Sequence, residues 1–234
     1  MKRLSSVKSS LAVIAAAAML TACGGDSDPV LSLSGVAATG LAIEGGAVAV
    51  QCKSGTGSAT TNSAGNYTVT VVNGTGPCLV TVTKGDLTLR SIAQPDANGQ
   101  AVANVTPISN AIVNAIATAK GVADVTTLVS GSQAPSNNDI SSAASSVITV
   151  IKVALIAAGQ NALANSLSAA NLLSDPSFTA ATTTNPNAGS ALDQAMDLLI
   201  PSGQTALPDA IIQSINTAVE NEVDPTPTGS TGAN

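Results

Sequence analysis

The spacing of apolar residues changes once along this chain, near Thr106 and Pro107, and that change constrains the fold most. Before it, apolar and polar residues alternate in short runs separated by glycine and asparagine turns, which is typical of β-strands. After it, alanine-rich segments carry apolar residues at three- and four-residue spacing, which is typical of helices. We therefore predict an α+β protein with two segregated regions, strands first and helices second.

The first region, residues 30–105, predicts about seven short strands. Val48 and Val50 share a face with Cys52, and Val80 and Val82 share a face with Cys78. Strands are expected at 31–36, 46–52, 58–61, 67–71, 78–83, 87–92 and 101–105, with a hairpin turn at 62–66. This number of short alternating strands favours an antiparallel β-sandwich.

The second region, residues 106–223, predicts an all-α domain of about five helices. Thr106-Pro107 with Ser109 has the composition of a helix start, and Asp139 is expected to cap a helix over 140–158. Further helices are expected at 163–173, 190–200 and 208–222. The apolar run at 147–158 is too short to span a bilayer, which needs about 20 residues, so we interpret it as a buried core helix. Residues 224–234 are rich in Pro, Thr and Gly and predict a disordered tail.

The N-terminus has the layout of a bacterial export signal. Basic residues (Lys2, Arg3 and Lys8) precede an apolar stretch at 11–20, and residues 1–22 form the predicted signal peptide. The stretch ends in Leu20-Thr21-Ala22-Cys23, which resembles the lipobox of bacterial lipoproteins. An ordinary signal peptide cut nearby is the alternative.

The lipobox resemblance implies that Cys23 carries lipid and becomes the first residue of the mature chain. Residues 23–29 are then a short tether, which extends over at most about 25 Å. Gly24 stands where an aspartate favours inner-membrane retention in the enterobacterial pattern, so the resemblance implies the outer membrane. The expected partner is therefore a membrane, reached through the lipid on Cys23.

If the chain is exported, the two remaining cysteines are expected to be oxidised to a disulfide. Cys52 and Cys78 both lie in phase with inward apolar positions, and the compartment beyond the inner membrane is oxidising. We predict a disulfide between them, with two buried free thiols as the alternative. The loop that it closes is worth about 3 kcal/mol in the chain-entropy view.

Composition excludes several function classes. The chain has no His, which removes the commonest general base and the Ser-His-Asp hydrolases. Without the three basic residues of the signal, five basic residues remain against fourteen acidic ones, a net charge of −9. This balance argues against a nucleic-acid partner. We predict no metal site and no cofactor.

Three stretches of the first region resemble a carboxypeptidase-regulatory-like module of transthyretin type. They are 35–40, 43–50 and 60–67, with the sequences GVAATG, IEGGAVAV and TTNSAGNY. The resemblance covers about 75 residues and implies a sandwich with a non-catalytic spacer, adhesive or carbohydrate-contacting role. The predicted disulfide departs from that group.

The second region resembles the uncharacterised helical part of many proteobacterial lipoproteins. The likeness rests on Thr106-Pro107-Ile108-Ser109, which follows the strand region as in those proteins. It brings no activity that can be carried over to this chain.

Candidate catalytic residues are few. Asp193 and Asp197 are four apart on a predicted helix and form either a cation or acid/base pair or a solvated helix face. Lys152 with a nearby aspartate is the remaining hydrolase candidate. We predict a non-enzymatic envelope lipoprotein with a structural or binding role, whose partner is an envelope protein or a carbohydrate. The alternative is a carrier of a small apolar ligand in a pocket of the helical domain, and a hydrolase is less favoured.

Overall fold

The structure is a computed structural model that describes residues 30–223. The predicted signal peptide, Cys23, the tether and the C-terminal tail lie outside the described residues. Seven strands occupy the first part of this range and six helices the second, so the α+β prediction is confirmed.

The strands form two sheets. They are β1 (Val30–Val36), β2 (Ala47–Ser54), β3 (Thr56–Thr60), β4 (Asn66–Val72), β5 (Thr75–Lys84), β6 (Leu87–Ala93) and β7 (Gln100–Val102). The strand order is β4-β1-β7 in one sheet and β3-β2-β5-β6 in the other. Apolar residues from both sheets share one core, which includes Leu33, Val50, Val71 and Val80.

Alternation in the sequence matches burial strand by strand. In β4 the side chains of Tyr67, Val69 and Val71 are buried, whereas the threonines between them are exposed. The hairpin before β4 has Gly65 at φ +76°, a conformation that glycine adopts without steric cost. A side chain at this position would also collide with the carbonyl oxygen of Ala37, since a Cβ would lie 2.4 Å from it.

The prediction of an antiparallel sandwich is confirmed in part, and β7 is the strand that departs from it. This strand has three residues and pairs with β1 in parallel, with Ser32 opposite Gln100. The chain leaves β6 in one sheet, turns at Asp96 and joins the other sheet. The alternation of apolar and polar residues shows which side of a strand is buried. It does not specify which strand lies beside it or whether the two run parallel. The sheets are therefore antiparallel and mixed, and the strands form a sandwich only loosely.

The predicted disulfide is present between Cys52 and Cys78, whose S–S distance is 2.00 Å. The two residues lie directly opposite each other on β2 and β5, so the bridge joins neighbouring strands of one sheet. Both side chains are buried in the core between the sheets.

The helical region contains six helices and one 3-10 turn among the described residues, rather than five helices. They are α1 (Pro107–Ala119), the 3-10 turn (Val125–Thr127), α2 (Asn137–Ala157), α3 (Asn161–Ser166), α4 (Ala169–Leu173), α5 (Ala191–Leu199) and α6 (Asp209–Glu220). The helix predicted over 163–173 is split because Leu167 is extended and Ser168 begins a new capping box with Asn171.

The start of α2 also differs from the prediction. Ser136, and not Asp139, is the N-cap, and Asp139 closes the capping box by accepting from the backbone N–H of Ser136 at 2.8 Å. Asp139 also pairs with Lys120 at 2.8 Å, which joins the end of α1 to the start of α2. Hydrogen bonds from Lys120 and Ser136 outweigh burial and hold the pKa of Asp139 below its usual range.

The predicted start of α1 is confirmed, and its residues dock the helix on the sheet. Thr106 and Ser109 form a capping box around Pro107. The Ser109 hydroxyl also donates to the carbonyl of Arg90 at 2.8 Å, and the Asn110 side chain accepts from the backbone N–H of Arg90 at 3.1 Å. Because β6 is an edge strand, these bonds pair backbone groups that no further strand covers.

Helix α2 is the longest helix described. By length and composition it could cross a membrane, since it has 21 residues and an 18-residue window of mean hydropathy 1.9, one third of it buried. Its buried stripe, which includes Val147, Ile151 and Leu155, belongs to the helical core. That core also takes in Leu79 and Ile92 from the sheet, so strands and helices are packed together. Val153 and Ile156 lie on its exposed side.

Candidate functional site

A groove of about 510 Å³ lies between the sheet edges and the helices. Strands β6 and β7 form one wall, and α2 and α4 form the other. The apolar side chains that line it include Ile92, Ala101, Val102, Ile140, Ala144 and Leu173. We refer to this cavity as the groove.

Small side chains on the helices leave the groove open. Helix α2 lines it with Ser141, Ala144 and Ser145, which are spaced so that they lie on one side of the helix. Helix α4 contributes Ala169 and Ala170. A protein interior is ordinarily filled to the density of an organic crystal, and side chains of this size do not reach the opposite wall.

The polar groups around the groove are neutral. Amides come from Gln94, Gln100 and Asn137, and hydroxyls come from serines on α2 and after α4. None of the described residues that line the groove carries a charge or an aromatic ring. The groove therefore suits an aliphatic body better than an aromatic or ionic one.

A second cavity, of about 440 Å³, adjoins the groove, and we call it the Lys53 cavity. Gln94 and Asn137 line both spaces, so the two lie side by side at these residues. Lys53 is the one charged residue among those lining the second space, which is otherwise bounded by prolines, Ala134, Ser136 and Asn138.

Asn104 joins α4, which forms part of one groove wall, to strand β1. Its side chain accepts from the backbone N–H of Val36 at 3.1 Å and donates to the carbonyl of Asp175 at 2.8 Å. Its own N–H donates to the carbonyl of Leu173 at 2.7 Å. The residue is 1% exposed, so these bonds form out of contact with solvent and hold α4 against β1.

The aspartate pair on α5 does not form a solvated face. Asp193 is 1% exposed, whereas Asp197 is exposed. Asp193 accepts from the backbone N–H of Ala181 at 3.0 Å, and its second oxygen has no hydrogen-bond partner among the described residues. A Cβ on Gly189 would lie 2.0 Å from this carboxylate, so glycine leaves the space that the carboxylate fills.

Burial sets the electrostatics of Asp193. It raises the pKa of the carboxyl to about 6, the hydrogen bond from Ala181 works against this rise, and the negative charge of Asp197 adds to it. Asp197 is exposed but partly shielded from solvent, and this partial burial also raises the pKa of its carboxyl. In both residues the pKa rises because burial disfavours the charged carboxylate relative to the protonated carboxyl.

The described residues bring together no group that could hold a metal ion by side chains, since no three His, Cys, Asp or Glu converge in residues 30–223. Lys152, the hydrolase candidate, has no ion pair with any aspartate in this range. The ion pair found there joins Lys120 to Asp139 and connects two helices.

Comparison with known protein families, with curated proteins and with solved structures found no match to this chain. The geometry of the site is therefore the guide to the function of this protein.

Of the site residues predicted from the sequence, Cys52 and Cys78 are joined and Cys23 lies outside the described range. The groove was not predicted at this position, because the carrier hypothesis put its pocket inside the helical domain. The sequence did contain a sign of the groove. Ser141, Ala144 and Ser145 lie on one side of α2, and a core helix usually has larger residues on the side that packs against its neighbours.

Proposed function

We propose that this protein is an exported, lipid-anchored binding protein without catalytic activity, which holds an aliphatic ligand in the groove. The observation that carries the proposal is the apolar cavity of about 510 Å³ between the sheet edges and the helices. Ligand pockets commonly have about 300–1,000 Å³, an apolar lining and a few polar groups.

The lining supports an aliphatic ligand in particular. Branched and small aliphatic side chains such as Ile140, Ala144 and Leu173 face it, and they make dispersion contacts with a hydrocarbon chain without a preferred ring geometry. The neutral amides and hydroxyls at the rim remain close to solvent. A hydrocarbon chain that enters the groove therefore leaves water without displacing a charged group.

The lipid anchor at Cys23 completes the proposal. The lipobox-like sequence before Cys23 supports lipid attachment, and Gly24 supports delivery to the outer membrane. Strand β1 starts at Val30, and its Ser32 lies beside Gln100 at the rim of the groove. A tether of about 25 Å at most would then keep the groove close to the bilayer surface.

For the fold family we propose a loose carboxypeptidase-regulatory-like sandwich extended by helices. Support comes from the seven strands, the Gly65 turn and the shared core of the two sheets. A non-catalytic role fits such a module.

A second candidate role is contact with another envelope component. Val153 and Ile156 are 62% and 50% exposed on one side of α2. An exposed apolar pair of this kind favours a protein partner over a carbohydrate, which would be recognised by hydrogen-bonding groups.

The groove is tested by filling it. Ser145 lines the groove, whereas Thr149 lies one turn further along α2, is exposed and lines no cavity described here. Their hydroxyls bond equivalent carbonyls four residues back, at 2.8 Å and 3.2 Å. We expect Ser145→Trp to weaken binding of decanol at least about tenfold, or about 1.4 kcal/mol, by isothermal titration calorimetry. Binding to the unaltered protein should show a negative heat-capacity change.

Thr149→Trp is the matched control and should bind decanol as the unaltered protein does. Equal affinities for both variants, or no binding of decanol by the unaltered protein, would contradict the groove as a ligand site. Circular dichroism of both variants checks that the helix is preserved.

The anchor is tested by Cys23→Ala in cells. The variant should lose its attachment site and move from the membrane fraction to the soluble fraction, because each buried methylene of an acyl chain contributes about 0.8 kcal/mol to membrane binding. Immunoblotting of separated fractions measures this. Ala22→Gly, a neighbouring change that keeps a small residue, should leave the protein in the membrane; retention of Cys23→Ala in that fraction would refute the anchor.

A further inference from the structure

The Lys53 cavity distinguishes one end of the groove from the other. The groove is lined only by neutral polar groups, but at Gln94 and Asn137 it borders a space lined by a lysine. An apolar space directly beside a cationic one matches a ligand that is apolar at one end and negatively charged at the other. This inference rests on the proposed function, since it needs the groove to take a hydrocarbon chain.

The ammonium group of Lys53 is not engaged by another group in residues 30–223. It makes no hydrogen bond or ion pair with a described residue, whereas Lys120 pairs with Asp139 and Lys84 donates to the carbonyl of Glu44. No acidic side chain lines the Lys53 cavity. In a mature chain with a net charge of −9, a cavity whose one charged residue is basic is a local reversal of sign.

The neighbouring acid does not cancel this charge. Asp139 lies in the first turn of α2, one residue beyond Asn138 of the cavity wall. Its carboxylate is already engaged by Lys120 and by the backbone N–H of Ser136, each at 2.8 Å. Asn137 and Asn138 add side-chain amides to the same wall and can donate to an anion.

From this geometry we propose that the ligand is a single-chain amphiphile with an anionic head group, such as a fatty acid. Its aliphatic tail lies in the groove against Ile140 and Leu173. Its head group passes Gln94 and Asn137 and lies beside the ammonium group of Lys53. The neutral amides at the junction bond the head group without adding charge.

The experiment compares ligands that share one chain and differ in charge. Decanoate, decanol and decylamine are titrated into the full-length protein, below their aggregation concentrations, by isothermal titration calorimetry at neutral pH. We expect decanoate to bind about two- to fivefold more tightly than decanol, as is usual for a charge pair in contact with solvent, and decylamine to bind more weakly than decanol. Higher salt should reduce the difference.

Lys53→Gln should remove the preference for decanoate while decanol binds unchanged, and Lys53→Glu should reverse it in favour of decylamine. Lys152→Gln removes the same charge from a part of α2 that lines neither cavity, and it should leave the preference intact. Circular dichroism confirms that each variant is folded.

The outcomes separate this inference from the function on which it rests. If decanoate and decanol bind the unaltered protein equally, or if Lys53→Gln and Lys152→Gln have equal effects, the head-group assignment is wrong and the groove remains an aliphatic site. If none of the three ligands binds, the proposed function fails and the inference fails with it.

Discussion

At the scale of single residues, Asp193 is a carboxylate that the fold encloses at an energetic cost. It is the third residue of α5, where an acid usually bonds the N-cap backbone. Instead it accepts from Ala181, whose carbonyl bonds the backbone N–H of Ala42 at 2.8 Å. Asp193 thus supports the segment that joins the helices to the strand region.

The raised pKa of Asp193 predicts how stability changes with pH. A pKa raised to about 6 from 3.8 means that the protonated form fits the folded state better. The stabilising effect is fully present below the unfolded-state pKa of about 3.9 and is lost as the pH rises through about 6. We therefore expect Asp193→Asn, which mimics the protonated form, to raise the free energy of unfolding at pH 7.5 by about 1 kcal/mol, after allowance for screening by solvent.

Urea denaturation at pH 7.5 and pH 4 measures this effect. The increase in the free energy of unfolding caused by Asp193→Asn should fall towards zero at pH 4, because the carboxyl of the unaltered protein is itself protonated there. Asp86→Asn removes the same charge from an exposed turn between β5 and β6 and should change stability little at either pH. A loss of stability in Asp193→Asn at pH 7.5 would contradict the account.

At the scale of elements, much of the fold could be predicted from the sequence because local patterns carry it. Alternation located the strands, and Thr106 with Ser109 located the start of α1. The starts of α2 and α4, which were not predicted correctly from the sequence, have the same capping-box pattern. Ser136 with Asp139, and Ser168 with Asn171, are serine N-caps followed three residues later by a side chain that bonds back.

Other features depend on partners that are distant in sequence. The parallel pairing of β7 with β1 joins residues almost 70 positions apart, such as Ser32 and Gln100, and nothing in the spacing of either strand specifies it. The spacing of Asp193 and Asp197 predicted a shared side of α5 but not what lies against that side. The groove likewise draws on β6, β7, α2 and α4, so its shape depends on how these elements pack.

At the scale of the whole molecule, the strand and helical regions form the groove jointly. The sheets supply two edges, the helices supply a wall of small residues, and Asn104 bonds across both. Strand β1, to which the proposed tether would lead, pairs with β7, which lines the groove. The chain as a whole is acidic. Lys53 is the one charged residue that lines its cavity, and we propose that it attracts an anionic head group there.

Photolabelling with an aliphatic chain tests whether the groove binds a hydrocarbon chain. A decyl probe with a diazirine near the end of its chain is irradiated with the protein, and the labelled residues are mapped by mass spectrometry. We expect labels in the groove, at Ile140, Ala144 and Leu173, and we expect excess decanol to remove them. Labels concentrated at the exposed Val153 and Ile156, or scattered over the surface, would contradict binding in the groove.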